Sequence, residues 1–246
     1  MKNSKQIIKK LRKKIIEISY IKKSAHLGSS LSCLEILFAC FLEYKRKRCE
    51  IILSKGHAAL GYYVVFEEFS KKIKASNFIS DKSNLWGHIT KSSKKNSLLK
   101  FGFGSLGYGL GISAGLAYSN KNKKVLTIVS DGELNEGSFW ESLFFVHHHK
   151  LKNLVLLIDY NKVQSFGFCK DIIDFKKIKN LFTNYNFFVT QINGHSINEI
   201  SKQIKLQTKL PKIIICNTVK GKGIRRIENT IASHYKPALL SDIKKL

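Results

Sequence analysis

Val125-Leu-Thr-Ile-Val-Ser-Asp-Gly-Glu-Leu-Asn-Glu-Gly-Ser-Phe-Trp-Glu141 carries the clearest signal of architecture in the chain. Its apolar, β-branched run, Val125 to Val129, has the length of a strand rather than a helix, and its lack of alternation suits a strand buried on both faces. The run breaks into a segment with four carboxylates, Asp131, Glu133, Glu136 and Glu141, and continues as a helical stretch through His149. Further on the alternation repeats: an apolar run from Leu154 to Ile158, a helical stretch near 172–183, a short strand near 187–190, a helical stretch near 196–208 and the run Ile213 to Ile215. Strands separated by helices imply βαβ units, so the expected class is α/β, a parallel β-sheet flanked by helices.

Toward the N-terminus the pattern is less regular. It predicts helices over 4–22 and 32–44 and an exposed loop from Lys91 to Lys100. In the first helix Ile8, Leu11, Ile15 and Ile18 recur at helical spacing between lysines, which predicts a face docked on the core. No repeat or composition shift marks a linker, so 1–246 reads as a single domain.

The 246 residues include 43 Lys and Arg against 17 Asp and Glu, a formal net charge of +26. Such a charge raises nucleic acid or an anionic membrane as a partner, because clustered cations release counterions from phosphates. Here the lysines are dispersed along the chain, and their abundance beside Asn, Ile and Phe, with only 2 prolines, is what AT-rich coding produces. The expectation is no nucleic acid and no membrane partner. Five cysteines form no CxxC pair and are odd in number, which suggests reduced thiols in a cytoplasm rather than a zinc ribbon or a disulfide framework. No stretch approaches the roughly 20 apolar residues of a spanning helix, and the N-terminus lacks a signal-peptide core.

The acid at the strand end calls for its own explanation. In an open parallel sheet, ligands bind beyond the carboxyl ends of the strands. Asp131 lies just past one run and Asn161 just past the next, so both reach one crevice. A carboxylate, an amide oxygen and a loop carbonyl form a hard-oxygen set suited to Mg²⁺, which keeps part of its shell for phosphate oxygens. Gly132 lets backbone approach such a phosphate. The glycine-rich turn Phe103-Gly-Ser-Leu-Gly-Tyr-Gly109 precedes the small residues Gly111, Ser113, Ala114, Gly115 and Ala117, and a turn feeding a helix N-terminus is an anion site. Taken alone, the glycines are equally a plain turn.

These residues, with further motifs in order, resemble the N-terminal, diphosphate-binding part of a transketolase, a thiamine diphosphate enzyme. The resemblance runs through Ser24-Ala-His-Leu-Gly-Ser-Ser-Leu-Ser32, Leu53-Ser-Lys-Gly-His-Ala-Ala59, Leu85-Trp-Gly-His88, Gly104-Ser-Leu-Gly107, Asp131-Gly-Glu-Leu-Asn-Glu-Gly137, His148-His-Lys-Leu151, Asp159-Tyr-Asn161, Asn193-Gly-His195, Val219-Lys-Gly-Lys-Gly223 and Ser233-His-Tyr-Lys236. It implies the thiamine-diphosphate-binding fold. It implies Asp131, Asn161 and the carbonyl of Val163 as ligands of Mg²⁺ or Ca²⁺, and Gly104, Ser105, Leu106, Gly107, Gly132, Glu133 and His57 around the cofactor. His26 and His234 match a pair facing the substrate hydroxyls, His57 one near the diphosphate and thiazolium, and His88 one contacting the two-carbon unit. Glu136 and Glu141 match glutamates near the family's two-fold interface, although a first helical turn also favours acid through the macrodipole. His147, His148 and His149 fan out by ~100° each on a helix and read as packing and surface residues; His195, in a turn-like Asn-Gly-His, reads as structural.

Several positions depart from the pattern: Ser130, Tyr160, Ala25, Leu27, Cys49 with Glu50, Phe103 and Tyr108. None removes a matching histidine or metal ligand, whereas Phe103 and Tyr108 bear on the shape of the cofactor pocket. The pyrimidine-binding and C-terminal domains of transketolases have no counterpart in this sequence. The resemblance therefore implies a separate C-terminal subunit carrying them, assembled as an α2β2 heterotetramer. The implied activity is transfer of a two-carbon ketol unit between sugar phosphates, as in the pentose phosphate pathway. The alternatives are a related thiamine diphosphate enzyme acting on another sugar, and a non-catalytic basic protein binding nucleic acid or membrane on the same fold; 1-deoxyxylulose-phosphate synthase matches less well.

Overall fold

In the computed structural model, residues 2–47, 49–81, 83–91, 99–175 and 177–244 are described. Strands β1 (Glu50–Leu53), β2 (Val125–Ser130), β3 (Leu154–Tyr160), β4 (Phe188–Asn193) and β5 (Lys212–Asn217) form one parallel sheet in the spatial order β1-β2-β3-β5-β4. Helices α1 (Lys2–Lys22), α2 (Leu27–Ser32), α3 (Leu34–Lys47) and α4 (Ala59–Ser70) belong to the first third of the chain. They are followed by α5 (Tyr108–Ser119), α6 (Gly137–His148), α7 (Cys169–Ile172), α8 (Ile178–Asn184), α9 (Ile197–Lys205), α10 (Ala232–Tyr235) and α11 (Leu240–Lys244).

The central strands are buried almost end to end, as strands covered on both faces must be, while edge strand β4 is only half covered. Helices α5 and α6 pack together, Trp140 of α6 lies over Phe182 of α8, and α3 packs with α9. Ile8, Leu11, Ile15 and Ile18 of α1 are buried, as their spacing predicts, and all five cysteines are buried free thiols.

The fold differs from the sequence reading in three places. The helix expected from 32 starts at Leu34, after a break at Cys33, and a further short helix, α2, precedes it. Strand β1 and helix α4 were not foreseen; β1 has four residues, and the first eight residues of α4 are all buried, so neither displays a period. The helix expected near 172–183 is two pieces, α7 and α8, with Ile173 to Phe175 between them not helical. The loop expected from Lys91 to Lys100 falls mostly on 92–98, outside the described residues; at its end Leu99 is buried and Lys100 pairs with Glu50 at 2.9 Å.

Register places the site. Ser130 is level with Asp159, Cys216 is level with Asp159 from the other side, and Leu53 is level with Ile128. Two residues beyond Leu53, Lys55 therefore reaches the same rung as Ser130 and Asp159, and Asp131, Asn161 and Thr218 continue just past it.

Candidate active site

At the carboxyl end of β2 the chain turns through a single 3₁₀ stretch, Asp131–Asn135, closed by a capping box. Glu133 Oε2 accepts from the Ser130 backbone N–H at 2.8 Å and from its hydroxyl at 3.3 Å. Glu133 Oε1 accepts from the Gly107 N–H at 3.1 Å and from the Ser54 hydroxyl. Both oxygens of this fully buried acid are thus held by protein donors. Glu133, expected among the cofactor-contacting residues, fixes the Gly107 turn against the strand end. Ser130, a departure from the family pattern, supplies the cap.

The Gly104–Gly107 turn needs glycine at its last position. Gly107 has φ +84°, and a Cβ there would lie 2.4 Å from Ser138 Oγ and 2.8 Å from Glu136 Cβ. The turn delivers Leu106 to the wall of the cavity, while Gly104, Ser105 and Tyr108 are exposed. Phe103 is buried, and its carbonyl sits where a side chain on Gly56 would be.

Asp131 is buried, with Oδ1 accepting from the Gly132 N–H at 2.9 Å and Oδ2 from the Lys162 N–H at 2.5 Å. Burial, reinforced by the like charge of Asp159, pushes its carboxyl up to about 6. Asn161 donates through Nδ2 to Asp159 at 3.2 Å, which commits Oδ1 to the side of the Val163 N–H at 3.2 Å. The Val163 carbonyl accepts from the buried Lys220 ammonium at 2.6 Å, and burial lowers Lys220 to about 8. Among the described residues no three of His, Cys, Asp and Glu gather as a metal cluster. A cation here would therefore hold Asp131 and two neutral oxygens, Asn161 Oδ1 and Val163 O, and complete its shell elsewhere, which is the habit of Mg²⁺ beside phosphate. An acid pushed up by burial in an oxygen-rich pocket is one short of counter-charge, so the donor set suits a divalent ion. Lys220 provides positive charge at the same carbonyl.

A cavity of about 180 Å³ joins Asp131, Asn161, Leu106, Lys220, His57 and His234. The four histidines taken from separate motifs cluster at it, with His57 and His234 on its lining: the ring of His26 lies 4.7 Å from His234, 5.4 Å from His88 and 5.5 Å from His57, centre to centre. The backbone joins two of them directly, since His26 N–H donates to the His234 carbonyl at 2.8 Å. His26 holds a left-handed φ of 62° at the start of α2, and its Nδ1 is buried without a hydrogen-bond partner. Strain and an orphaned nitrogen at one residue are features of a ligand site. Burial, with nearby cations, lowers these imidazoles: His26 to about 4, His234 to about 3, His57 well below the ordinary value, and His88 through burial alone. They are neutral at pH 7.

Two residues of the site escaped the sequence reading of roles. Lys55 and Asp159 are both fully buried and form an ion pair at the base of the cavity. Asp159 also accepts from Ser32 Oγ at 2.6 Å, from the Thr218 hydroxyl and from Asn161. Burial alone would lower Lys55, but Asp159 holds it above the ordinary lysine value; burial would raise Asp159, but Lys55 and the hydroxyls hold it below the ordinary carboxylate value. The signal available in sequence was an acid directly following the apolar run Leu154–Ile158.

Other expectations fall as follows. Glu136 lines the cavity and precedes α6; Glu141 is exposed on α6 beside the exposed Phe144 and Phe145. His147 stacks toward Tyr185 and Phe187, and His149 lies on Phe145 and Tyr118, so these two are packing groups. His195 Nδ1 meets Glu35 at 3.0 Å and its Nε2 accepts from the Val219 N–H at 2.9 Å, a structural tie.

Comparison with known proteins follows the same lines. A family model described as "Transketolase, thiamine diphosphate binding domain" matches residues 3–246. One of the subunits of the apulose-4-phosphate transketolase of Phocaeicola vulgatus is 30% identical over 92% of this chain and 86% of its own length. The 6-deoxy-6-sulfo-D-fructose transketolase subunit SqwG of a Clostridium species is 29% identical over 85% of this chain and 82% of its own. Human transketolase is 30% identical over 95% of this chain, which spans only 40% of that protein. Among solved structures, transketolase from Campylobacter jejuni superposes with a TM-score of 0.80 at 25% identity, covering 96% of this chain and 40% of that one. No helix among the described residues is long and apolar enough to cross a membrane.

Proposed function

We propose that this chain, which belongs to the transketolase family of thiamine-diphosphate-binding domains, is the N-terminal subunit of a two-chain transketolase. In this reading it holds the diphosphate end of the cofactor, and a C-terminal subunit supplies the pyrimidine-binding domain. The observation that carries the proposal is the convergence, in one cavity at the strand ends, of a hard-oxygen set, two buried lysines and the neutral His57 and His234, with His26 and His88 in ring contact beside them.

Asp131, Asn161 and Val163 would hold Mg²⁺ or Ca²⁺ on the diphosphate, with Lys220 and Lys55 adding positive charge and the Leu106–Gly107 turn fixing its position. Bound there, thiamine diphosphate supplies the electron sink that lets the carbon–carbon bond beside a ketose carbonyl break. The remaining work falls to the histidines. Lys220 lies 3.4 Å from His234 Nδ1 and, as an ammonium, donates to it. That leaves the proton of a neutral His234 on Nε2, free to donate to a substrate oxygen. His26 and His57, neutral for the same electrostatic reason, can take or return a proton at a sugar hydroxyl without first losing one to water.

The substrate class is a ketose phosphate as donor of a two-carbon ketol unit and an aldose phosphate as acceptor. Because relatives are named for apulose-4-phosphate and for a sulfofructose, a different sugar is the second reading. The exposed Tyr118, Phe144 and Phe145, grouped on α5 and α6 with Glu141, form an apolar face suited to subunit contact, which supports an α2β2 assembly. The test is to co-purify the chain with the pyrimidine-domain subunit encoded in the same genome and assay ketol transfer across a panel of ketose and aldose phosphates. The reading predicts transfer by the pair, none by either chain, and a loss of at least about a hundredfold in kcat for His234→Ala. A pair that binds the cofactor yet transfers nothing from any sugar phosphate would overturn it.

A further inference from the structure

At the end of the sheet opposite the histidine cavity, the fold gathers lysines that the sequence scatters. The segments entering β2 (120–124) and β3 (152–153), the end of α3, the segment leaving α9 (205–208) and the first residue of β5 surround a groove of about 670 Å³. Eight of its lining residues are Lys or Arg, and none is Asp, Glu or aromatic.

The cations divide into two sets. Those of the floor are held in place: Lys124 donates to the Ile204 carbonyl at 2.8 Å and Lys212 to the Gln203 carbonyl at 2.6 Å, both at the end of α9, while Glu43 and Glu50 pair with Arg46, Lys124 and Lys123 from behind. Those of the rim, Lys47, Lys121, Lys152 and Lys205, are exposed and face no carboxylate within ion-pair distance among the described residues. Asn120, Asn122 and Thr208 interleave polar groups between them.

We propose that this groove binds a compact polyphosphorylated anion, free or carried on a nucleotide. Four ammonium groups without a carboxylate partner among the described residues, Lys121 resting over the Tyr118 ring at 5.9 Å, surround one concavity over a floor whose cations are already fixed, and they lose mutual repulsion when an anion with several charges enters. The volume is that of a small-molecule site. The absence of aromatic lining removes the stacking that single-stranded nucleic acid uses, and the concavity does not match a flat bilayer surface. The ligand would sit a full sheet length from Asp131, so it does not compete with a cofactor diphosphate, and the proposal is independent of the catalytic reading.

The experiment titrates the full chain calorimetrically, without divalent metal, with inorganic tripolyphosphate and separately with ATP, at about 50 mM and about 200 mM salt. Three proteins are compared: the natural chain, Lys121→Glu/Lys152→Glu in the groove, and Lys9→Glu/Lys13→Glu on the exposed face of α1 as a control of equal charge change. Thermal melts establish that each is folded. The proposal predicts saturable binding that weakens at least about tenfold in the groove variant and less than about twofold in the α1 variant, with a fall at the higher salt. ATP binding no tighter than tripolyphosphate identifies the free anion as the ligand; tighter binding identifies the nucleotide-borne form. Loss in the groove variant distinguishes this site from phosphate held near Lys220. Equal weakening in both variants, absence of saturable binding, or tighter binding of a short duplex RNA that is lost in the groove variant would each overturn the proposal.

Discussion

Asp159→Asn is the substitution with the largest effect that the geometry allows to be worked through. The Asp159 carboxylate is fully buried and serves four donors, the Lys55 ammonium, Ser32, Thr218 and Asn161. An amide of the same size keeps the packing and one acceptor oxygen but removes the charge, which leaves the equally buried Lys55 with neutral acceptors alone, among them the Ser29 carbonyl at 3.5 Å. Removing one partner of a buried ion pair costs about 3–5 kcal/mol. In a chain of this size each kcal/mol lowers Tm by about 2–4 °C, so the expected drop is about 6–20 °C. Urea unfolding measures the free energy, and Lys55→Met/Asp159→Asn, which removes both charges, should recover most of it. The pH dependence has a fixed sign. Asp159 sits below the ordinary carboxylate value in the folded chain, so its contribution is full above that value and disappears as the pH falls through the acid range. The deficit of Asp159→Asn should therefore be largest near neutrality and shrink in acid. A loss under about 1 kcal/mol, or a double variant no more stable than the single one, would refute this explanation of the cavity floor.

Further outcomes are expected elsewhere in the site. Gly107→Ala meets a left-handed φ and contacts of 2.4 Å and 2.8 Å, so it should lose more than about 1 kcal/mol by urea unfolding, and adding Ser138→Gly should recover only part, since Glu136 Cβ remains. His26, His57 and His234 lie below the ordinary imidazole value when folded, so the stability they contribute is present above about 6.5 and lost as the pH falls toward about 4. Asp131, pushed up to about 6, works in the opposite sense; the slope of stability against pH between about 7 and about 5 should still be positive and become shallower in His26→Asn. An unchanged slope in that variant would remove His26 from the explanation. Lys220→Met frees the Val163 carbonyl, so Mn²⁺ binding followed by electron paramagnetic resonance should tighten while affinity for inorganic pyrophosphate falls about tenfold; weaker binding of both would contradict the arrangement described.

How much of this was legible before the fold was known depended on whether the signal is local. Strands β2, β3 and β5 are apolar runs of the right length and needed nothing else. Strand β1 is too short to declare itself, and the buried start of α4 shows no apolar face because all its faces are covered. The break between α7 and α8 occurs where no Pro or Gly marks it. In the site, Asp131 and Asn161 could be placed at strand ends from the pattern alone, because each follows an apolar run. The histidines could not: residues 26, 57, 88 and 234 share no period, and only their motifs singled them out. Lys55 and Asp159 were quoted within motifs yet carried no role, since their pairing is a consequence of register between β1, β2 and β3. Glu133 illustrates the reverse case, an acid in the right motif whose oxygens turn out to be held by Ser54, Ser130 and Gly107. The dispersed lysines are a third case, for dispersal along the chain did not prevent eight cations from lining one groove.

The proposed function requires this chain to hold the diphosphate end of thiamine diphosphate through Asp131 and a divalent ion, while a partner holds the other end. Calorimetric titration of thiamine diphosphate with Mg²⁺ decides the matter when it is run on the chain alone and on its complex with the pyrimidine-domain subunit, with Asp131→Ala measured in parallel. Tight, metal-dependent binding to the complex, weak binding to the chain alone and none to the Asp131→Ala complex is the predicted result. Equal affinity with and without Mg²⁺, or full affinity after the loss of Asp131, would contradict it.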